Sequence, residues 1–198
     1  MTLADWVGQV EQQLVGAELF FGHGTDSAFD EAAWLVMSAA GIDPSAEPVD
    51  WQLALSETQQ SAVKQLAERR VETRKPLAYL VKQVWFAGHE FYIDERAIIP
   101  RSHLGEWIPA RFEPWLGRTP VKAVLDLCTG SGCIAVAVAL AFPEAEVDAA
   151  DISTAALEVA AINVKQHALG QRVRLLQGDL FNAIAKAARY DLIICNPP

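Results

Sequence analysis

The sequence is poor in what nucleic-acid binders, disulfide scaffolds and membrane spans require. Lys and Arg total 16 against 25 Asp and Glu, a net charge of −9. Duplex binding draws its affinity from Lys and Arg that neutralise phosphates, so direct DNA binding is not expected, and a basic protein suits this surface better. Cysteine occurs only as Cys128, Cys133 and Cys195, each among apolar residues, with no CxxC pair and no Cys/His cluster at zinc spacing. These read as reduced thiols in or near a core, and no metal site is expected. The longest apolar run, Cys133 to Phe142, is far too short to span a bilayer. The start, MTLADWVGQV, is acidic and amphipathic, unlike a signal peptide. Internal repeats and low-complexity tracts are also missing. The expectation is a soluble, cytoplasmic protein.

What is present is core material: 52% of the 198 residues are hydrophobic, which excludes wholesale disorder. Residues 1 to about 80 carry helical patterns. Leu3, Trp6, Val7, Val10, Leu14 and Val15 fall on one stripe. In SAFDEAAWLVMSAAG the apolar face includes Ala32, Leu35, Val36 and Ala39, with Gly41 as C-cap. A third helix opens at Ser56 or Thr58 and runs to about Thr73. The pattern then changes. VWFAGHEFYID reads as a β-hairpin around Ala87-Gly88-His89, and Ser102 caps a helix running to about Trp115, disturbed at Pro109.

From Val121 strand and helix alternate. KAVLDL, EVDAAD, RVRLLQ and YDLIIC are strands, separated by CIAVAVALAF, by a helix that Ser153 caps, and by a loop with a short helix in GDLFNAIAKAA. CIAVAVALAF alternates Val and Ala as a strand could; its length and the glycine loop before it favour a buried helix. This β-α-β-α order predicts a parallel sheet in a doubly wound α/β domain. The predicted organisation is a helical domain over 1–80, a hairpin linker over 81–101 and an α/β domain over 102–198.

In such sheets ligands bind beyond the carboxyl ends of the strands. Asp126-Leu-Cys-Thr-Gly130-Ser-Gly132, Asp151, Gly178-Asp179-Leu180 and Asn196-Pro197-Pro198 all fall there. The glycine loop with Asp151 also fits the relaxed dinucleotide fingerprint, so a nicotinamide enzyme is a rival. Asp126, at the strand end beside the loop, would repel a pyrophosphate and suit a ligand with an ammonium group. S-adenosylmethionine fits: its methionyl group is cationic, its ribose offers two hydroxyls to Asp151, and its adenine offers an amino group to Asp179. Singly, each acid also reads as an ordinary turn or helix-start residue; in register at successive strand ends they point to one site.

Across essentially the whole chain, RKPLAYL, IIPRS, DLCTGSGCIA, DIS, GDLF and NPP stand in the order found in the protein-(glutamine-N5) methyltransferases, which this sequence resembles. WFAGHEFYIDERAIIPRS is similar to the branch that modifies large-subunit ribosomal protein three. The resemblance implies a Rossmann-like class I methyltransferase domain behind a helical substrate-recognition domain. It implies that Cys128, Thr129, Gly130, Ser131 and Gly132, with Asp126 before them, wrap the methionyl part of the cofactor. It assigns the ribose to Asp151, the adenine to Asp179 and Leu180, a further cofactor contact to Asn196, and the substrate amide to Asn196, Pro197, Pro198 and Arg101. The first loop position, often Gly in the release-factor branch, is Cys128 here, which implies a backbone with no need of positive φ.

Asn196 and the Pro197 carbonyl are then the catalytic groups: accepting the two N–H bonds of a glutamine amide fixes its nitrogen and favours positive charge developing there. Other readings are a release-factor glutamine methyltransferase, an adenine-amino DNA methyltransferase, which the net charge disfavours, and an inactive cofactor- or partner-binding fragment. NPP resembles the start of an Asn-Pro-Pro-Tyr motif, so the chain is expected to stop after the fourth strand of a longer sheet. Its strands should lie in the order third, second, first, fourth, with an apolar edge that leaves the isolated chain inactive and prone to self-association.

Overall fold

A computed structural model describes residues 1–22, 24–44, 48–117 and 119–197. The chain divides into two compact units, Met1–Val81 and Lys82–Pro198.

In the first unit, Thr2 starts α1 (Leu3–Gly16) with a reciprocal capping box: its hydroxyl accepts from the Asp5 amide while the Asp5 carboxylate accepts from the Thr2 amide. Leu3, Trp6, Val7, Val10 and Leu14 are buried. Val15 is instead 57% exposed, because it lies roughly a third of a turn round from the centre of that stripe. Ser27 caps α2 (Ala28–Ala40), which ends at Gly41 with φ 69°. At the end of this helix Ala40 faces the core, while Ala39 is only half-buried. Ser56, with Gln59, makes the capping box of α3 (Glu57–Thr73). A short α4 (Leu77–Val81), which the hydrophobic pattern did not single out, follows Pro76, a residue suited to a helix start.

Glu31 and Arg70 are buried among these helices, with Arg70 Nε 2.7 Å from Glu31 Oε1. Arg70 also donates to the Phe20 carbonyl, and Arg74 donates to those of Ala17 and Glu18. Arg70 on α3 and Arg74 at its C-cap therefore hold the segment leaving α1. A pair buried this deeply adds little net stability, but removing one partner strands the other charge at a cost of about 3–5 kcal/mol.

The second unit opens with a hairpin, β1 (Val84–Phe86) and β2 (His89–Phe91). Its two-residue turn, Ala87 and Gly88, has positive φ at both positions, the conformation whose twist matches the strands. The helix expected up to Trp115 is a single turn, α5 (Leu104–Trp107). Pro109 has no amide to continue it, and Arg111 and Phe112 take left-handed φ of 52° and 56°.

The sheet follows: β3 (Ala123–Leu127), β4 (Glu146–Asp151), β5 (Val173–Gln177) and β6 (Leu192–Cys195) pair in parallel in the order β5-β4-β3-β6, as the sequence predicted. Helices α6 (Cys133–Ala141) and α7 (Thr154–Gln166) connect successive strands in one direction, and right-handed crossovers place both on one face. The other face, Leu125, Leu127 and Ala150, is covered by Ala183, Ile184 and Tyr190 from the segment before β6. The Val/Ala alternation of α6 resolves as helix, buried from Cys133 to Ala139. Gly132 lets α7 pack closely on the loop: a Cβ there would stand 2.9 Å from that of Ala160. The chain leaves β3 in one direction and returns through β6 on its other side. That reversal opens a crevice at the carboxyl ends of the strands.

Candidate active site

A cleft of about 660 Å³ occupies that crevice, within the range of small-ligand sites. All four strand ends contribute to it: Cys128 to Ser131 after β3, Asp151 to Ser153 after β4, Gly178 to Leu180 after β5, and Asn196 with Pro197 after β6. One wall comes from elsewhere, the run Arg96 to Ser102 that follows the hairpin, with Phe86 beside it. The structure thus brings together Cys128, Thr129, Gly130, Ser131, Asp151, Asp179, Leu180, Asn196, Pro197 and Arg101. Pro198 lies outside the described residues.

The loop is built on three left-handed positions, Cys128 at φ 59°, Gly130 at 56° and Gly132 at 75°. The expectation for Cys128 is therefore corrected: its backbone does take positive φ, and a side chain is kept there at a cost of about 1 kcal/mol. Gly130 borders the cleft, and a Cβ on it would meet nothing within 4 Å. Gly132 is not in the lining; its place is against Ala160. Asp151 organises the loop, accepting the Gly130 amide on Oδ2 at 2.8 Å and the Ser153 amide on Oδ1 at 2.9 Å. Each oxygen keeps a second lone pair, in range of a ligand in the cleft. Asp179 and Asn196 are exposed at their strand ends.

Asp126 behaves differently from the sequence expectation. It is 1% exposed and does not line the cleft, so its carboxylate neither meets a ligand ammonium directly nor stands where it would repel a pyrophosphate. The side chain is turned beneath the loop, where Thr129 donates to Oδ2 at 2.6 Å. Burial raises its pKa from 3.8 to about 7, against the pull of the Thr129 hydroxyl and the Ala135 amide and with a small push from Asp151. A folded pKa above the unfolded one means stability that is full below about 3.8 and is lost as pH rises through about 7. Asp126→Asn should therefore flatten the fall in urea midpoint between pH 5 and pH 8; a variant with the wild-type slope would show that another group carries it. Burial also pushes the Cys133 thiol up to about 12 and keeps Cys128, beside the Cys195 thiol, protonated. Neither supplies a ready thiolate.

Sequence reasoning missed the apolar part of the wall, Ile98 and Ile99, and it missed Asn163, which is wholly buried on α7. The available signal for Asn163 was a lone amide on the apolar side of an otherwise amphipathic helix. Among the described residues no group of three or more His, Cys, Asp or Glu could hold a metal ion, and no helix is long and apolar enough to cross a membrane.

Residues 114–198 match the family model described as methyltransferase small domain, and residues 14–81 match that described as PrmC N-terminal domain. All of the chain aligns with proteins named ribosomal protein uL3 glutamine methyltransferase, at 44% identity in Bordetella pertussis and 45% in Burkholderia pseudomallei. It spans 66% of the length of each. Among solved structures, a methyltransferase from Thiobacillus denitrificans in complex with S-adenosyl-L-homocysteine aligns with 44% of this chain and 35% of its own. Its identity is 22% and its TM-score 0.37. The parallel sheet, its loop and the matched domain define a Rossmann-like class I methyltransferase domain, a class whose cofactor is S-adenosylmethionine. The donor set fits that cofactor: a roomy glycine, carboxylates for hydroxyl and amino groups, and, among the described residues, no basic side chain on the strand ends for a phosphate. The chain belongs to the protein-(glutamine-N5) methyltransferase family.

Proposed function

We propose that the protein transfers a methyl group to the side-chain amide nitrogen of a glutamine in large-subunit ribosomal protein three. The observation that carries this is the meeting, in one cleft, of the glycine loop, Asp151, Asp179 and Asn196-Pro197 from four successive strand ends. The names of the relatives support the substrate, and the net charge of −9 suits a basic ribosomal protein.

When bound, S-adenosylmethionine supplies an electrophilic methyl group on a sulfonium. Cys128 to Ser131 would hold its methionyl part, with Asp126 supporting the loop from below; Asp151 would hold the ribose, and Asp179 with Leu180 the adenine. A glutamine amide is a poor nucleophile because its nitrogen lone pair is delocalised into the carbonyl. The Asn196 side-chain carbonyl and the Pro197 backbone carbonyl would each accept one N–H of that amide and aim its nitrogen into the cleft. Both acceptors strengthen as the nitrogen becomes positive, and such positioning is worth up to ~7–11 kcal/mol in ideal cases. Arg101, exposed on the cleft wall, would bind the substrate chain. The helical unit would read the surrounding protein surface, and the cytoplasm is where ribosomal proteins present it.

Mass spectrometry of ribosomal proteins from cells lacking the gene tests this reading. One glutamine of protein three should lack a methyl group. A methyl missing from a release factor would overturn the substrate, and one missing from DNA adenine would overturn the reaction.

A further inference from the structure

Asn163 is 0% exposed, yet it is a fully polar side chain in the middle of α7. A buried amide is costly unless its hydrogen bonds are made. Here they are. Its Oδ1 accepts the Tyr92 amide at 2.8 Å, while its Nδ2 donates to the Tyr92 carbonyl at 3.0 Å and to the Ser131 carbonyl at 2.8 Å. The first two bonds treat Tyr92 as a strand neighbour would. The third reaches a different segment, the cofactor loop.

The hairpin segment does not depend on Asn163 alone. His167 on the following turn lies with Nε2 2.9 Å from the Glu90 carbonyl, and Glu158 accepts from Arg96 at 2.7 Å. Phe91 and Ile93 on either side of Tyr92 are wholly buried. What no other side chain on α7 supplies, among the described residues, is a polar link from the hairpin segment to the loop. Tyr92 leads into the wall at Arg96 to Ser102, and Ser131 belongs to the lining that the glycine loop supplies. One amide group therefore bonds both the loop and the segment that leads into the wall.

We infer that Asn163 is a positioning residue for methyl transfer, fixing the cofactor loop against the wall that the glutamine substrate meets. The inference rests on the methyltransferase reading of the cleft. An apolar residue of similar size would fill the same space, but it would leave the Ser131 carbonyl and both Tyr92 backbone groups without this partner. The loop would then be free to move against the wall, and small displacements of reacting groups carry large rate penalties.

The test separates positioning from stability. Asn163→Ala is compared with Val159→Ala, a wholly buried apolar position on the same helix. Melting temperature, calorimetric Kd for S-adenosylhomocysteine and kcat on protein three are measured well below each melting point, in the intact protein. Asn163→Ala should weaken S-adenosylhomocysteine at least tenfold and lower kcat at least tenfold, whereas Val159→Ala keeps both within about twofold. If Asn163→Ala fails to fold, Asn163→Asp carries the comparison, since it keeps the acceptor for the Tyr92 amide and loses both donors. Asn163 variants that match Val159→Ala in Kd and kcat would overturn this inference alone. Wild-type protein that binds no S-adenosylhomocysteine would overturn the methyltransferase reading, and this inference with it.

Discussion

Asn196→Ala in the intact protein should lower kcat for glutamine methylation by about 10²–10³-fold while leaving S-adenosylhomocysteine affinity within about threefold. Asn196 stands at the carboxyl end of β6, directly after the strand that pairs with β3, so the sheet itself aims it at the cleft beside the glycine loop. Its proposed role in the reaction is to accept a hydrogen bond that would grow as the substrate nitrogen gains positive charge. Removing an acceptor of that kind costs the transition state more than the ground state, and the loss falls on kcat. Asn196→Asp is the informative companion. A carboxylate also accepts, so a partial return of activity would indicate that the acceptor matters. Single-turnover kinetics with separately measured cofactor binding check the split. Equal losses in cofactor affinity and kcat would place Asn196 in the cofactor site rather than against the amide.

Much of this site was legible because parallel sheets put chemistry where the chain must turn. Alternating strand and helix patterns fix which residues end each strand, and the strand ends are the cleft. That is why Asp151, Asp179 and Asn196, far apart in sequence, could be placed together before any coordinates. Helix starts were legible for a similar local reason: Ser56 and Ser153 each accept a bond from an amide three residues on.

Where the reading failed, the deciding forces were not local. Nothing in the identity of Cys128 reveals a left-handed backbone, because the conformation is imposed by the turn from β3 into the loop and the residue tolerates it. Asp126 looked like a ligand contact because sequence places it at the strand end, yet pleating decides which face a side chain takes, and its face is the one beneath the loop. The helix after Ser102 looked continuous by composition, and one missing amide at Pro109 ended it after a turn. Asn163 depends on two distant segments, the hairpin and the loop, arriving at one point of α7, a coincidence that no window of sequence contains.

The second large effect concerns Asp151. Asp151→Ala should weaken S-adenosylhomocysteine by about 10²-fold or more, and kcat/KM for S-adenosylmethionine should fall in step. The carboxylate does two jobs at once. Toward the protein, it accepts the Gly130 and Ser153 amides, which ties the glycine loop to the start of α7. Toward the cleft, its remaining lone pairs would accept the ribose hydroxyls. A hydrogen bond to a charged group contributes about 1.5–3 kcal/mol, so losing one such ribose contact already costs about tenfold or more in affinity. Two contacts and a loosened loop bring the loss to the expected size. Asp151→Asn should fall between, because its carbonyl can keep one amide while its NH₂ opposes the other. Calorimetry on wild type, Asp151→Asn and Asp151→Ala, run with S-adenosylhomocysteine and in parallel with NAD, decides the matter. The NAD arm is needed because a carboxylate at the end of the second strand is also where a dinucleotide enzyme holds its ribose, and buried Asp126 does not stand in the cleft to repel a pyrophosphate. Tight NAD binding lost in Asp151→Ala, with no binding of the adenosyl ligand, would assign the same carboxylate to hydride-transfer chemistry and overturn the methyltransferase reading at its cofactor.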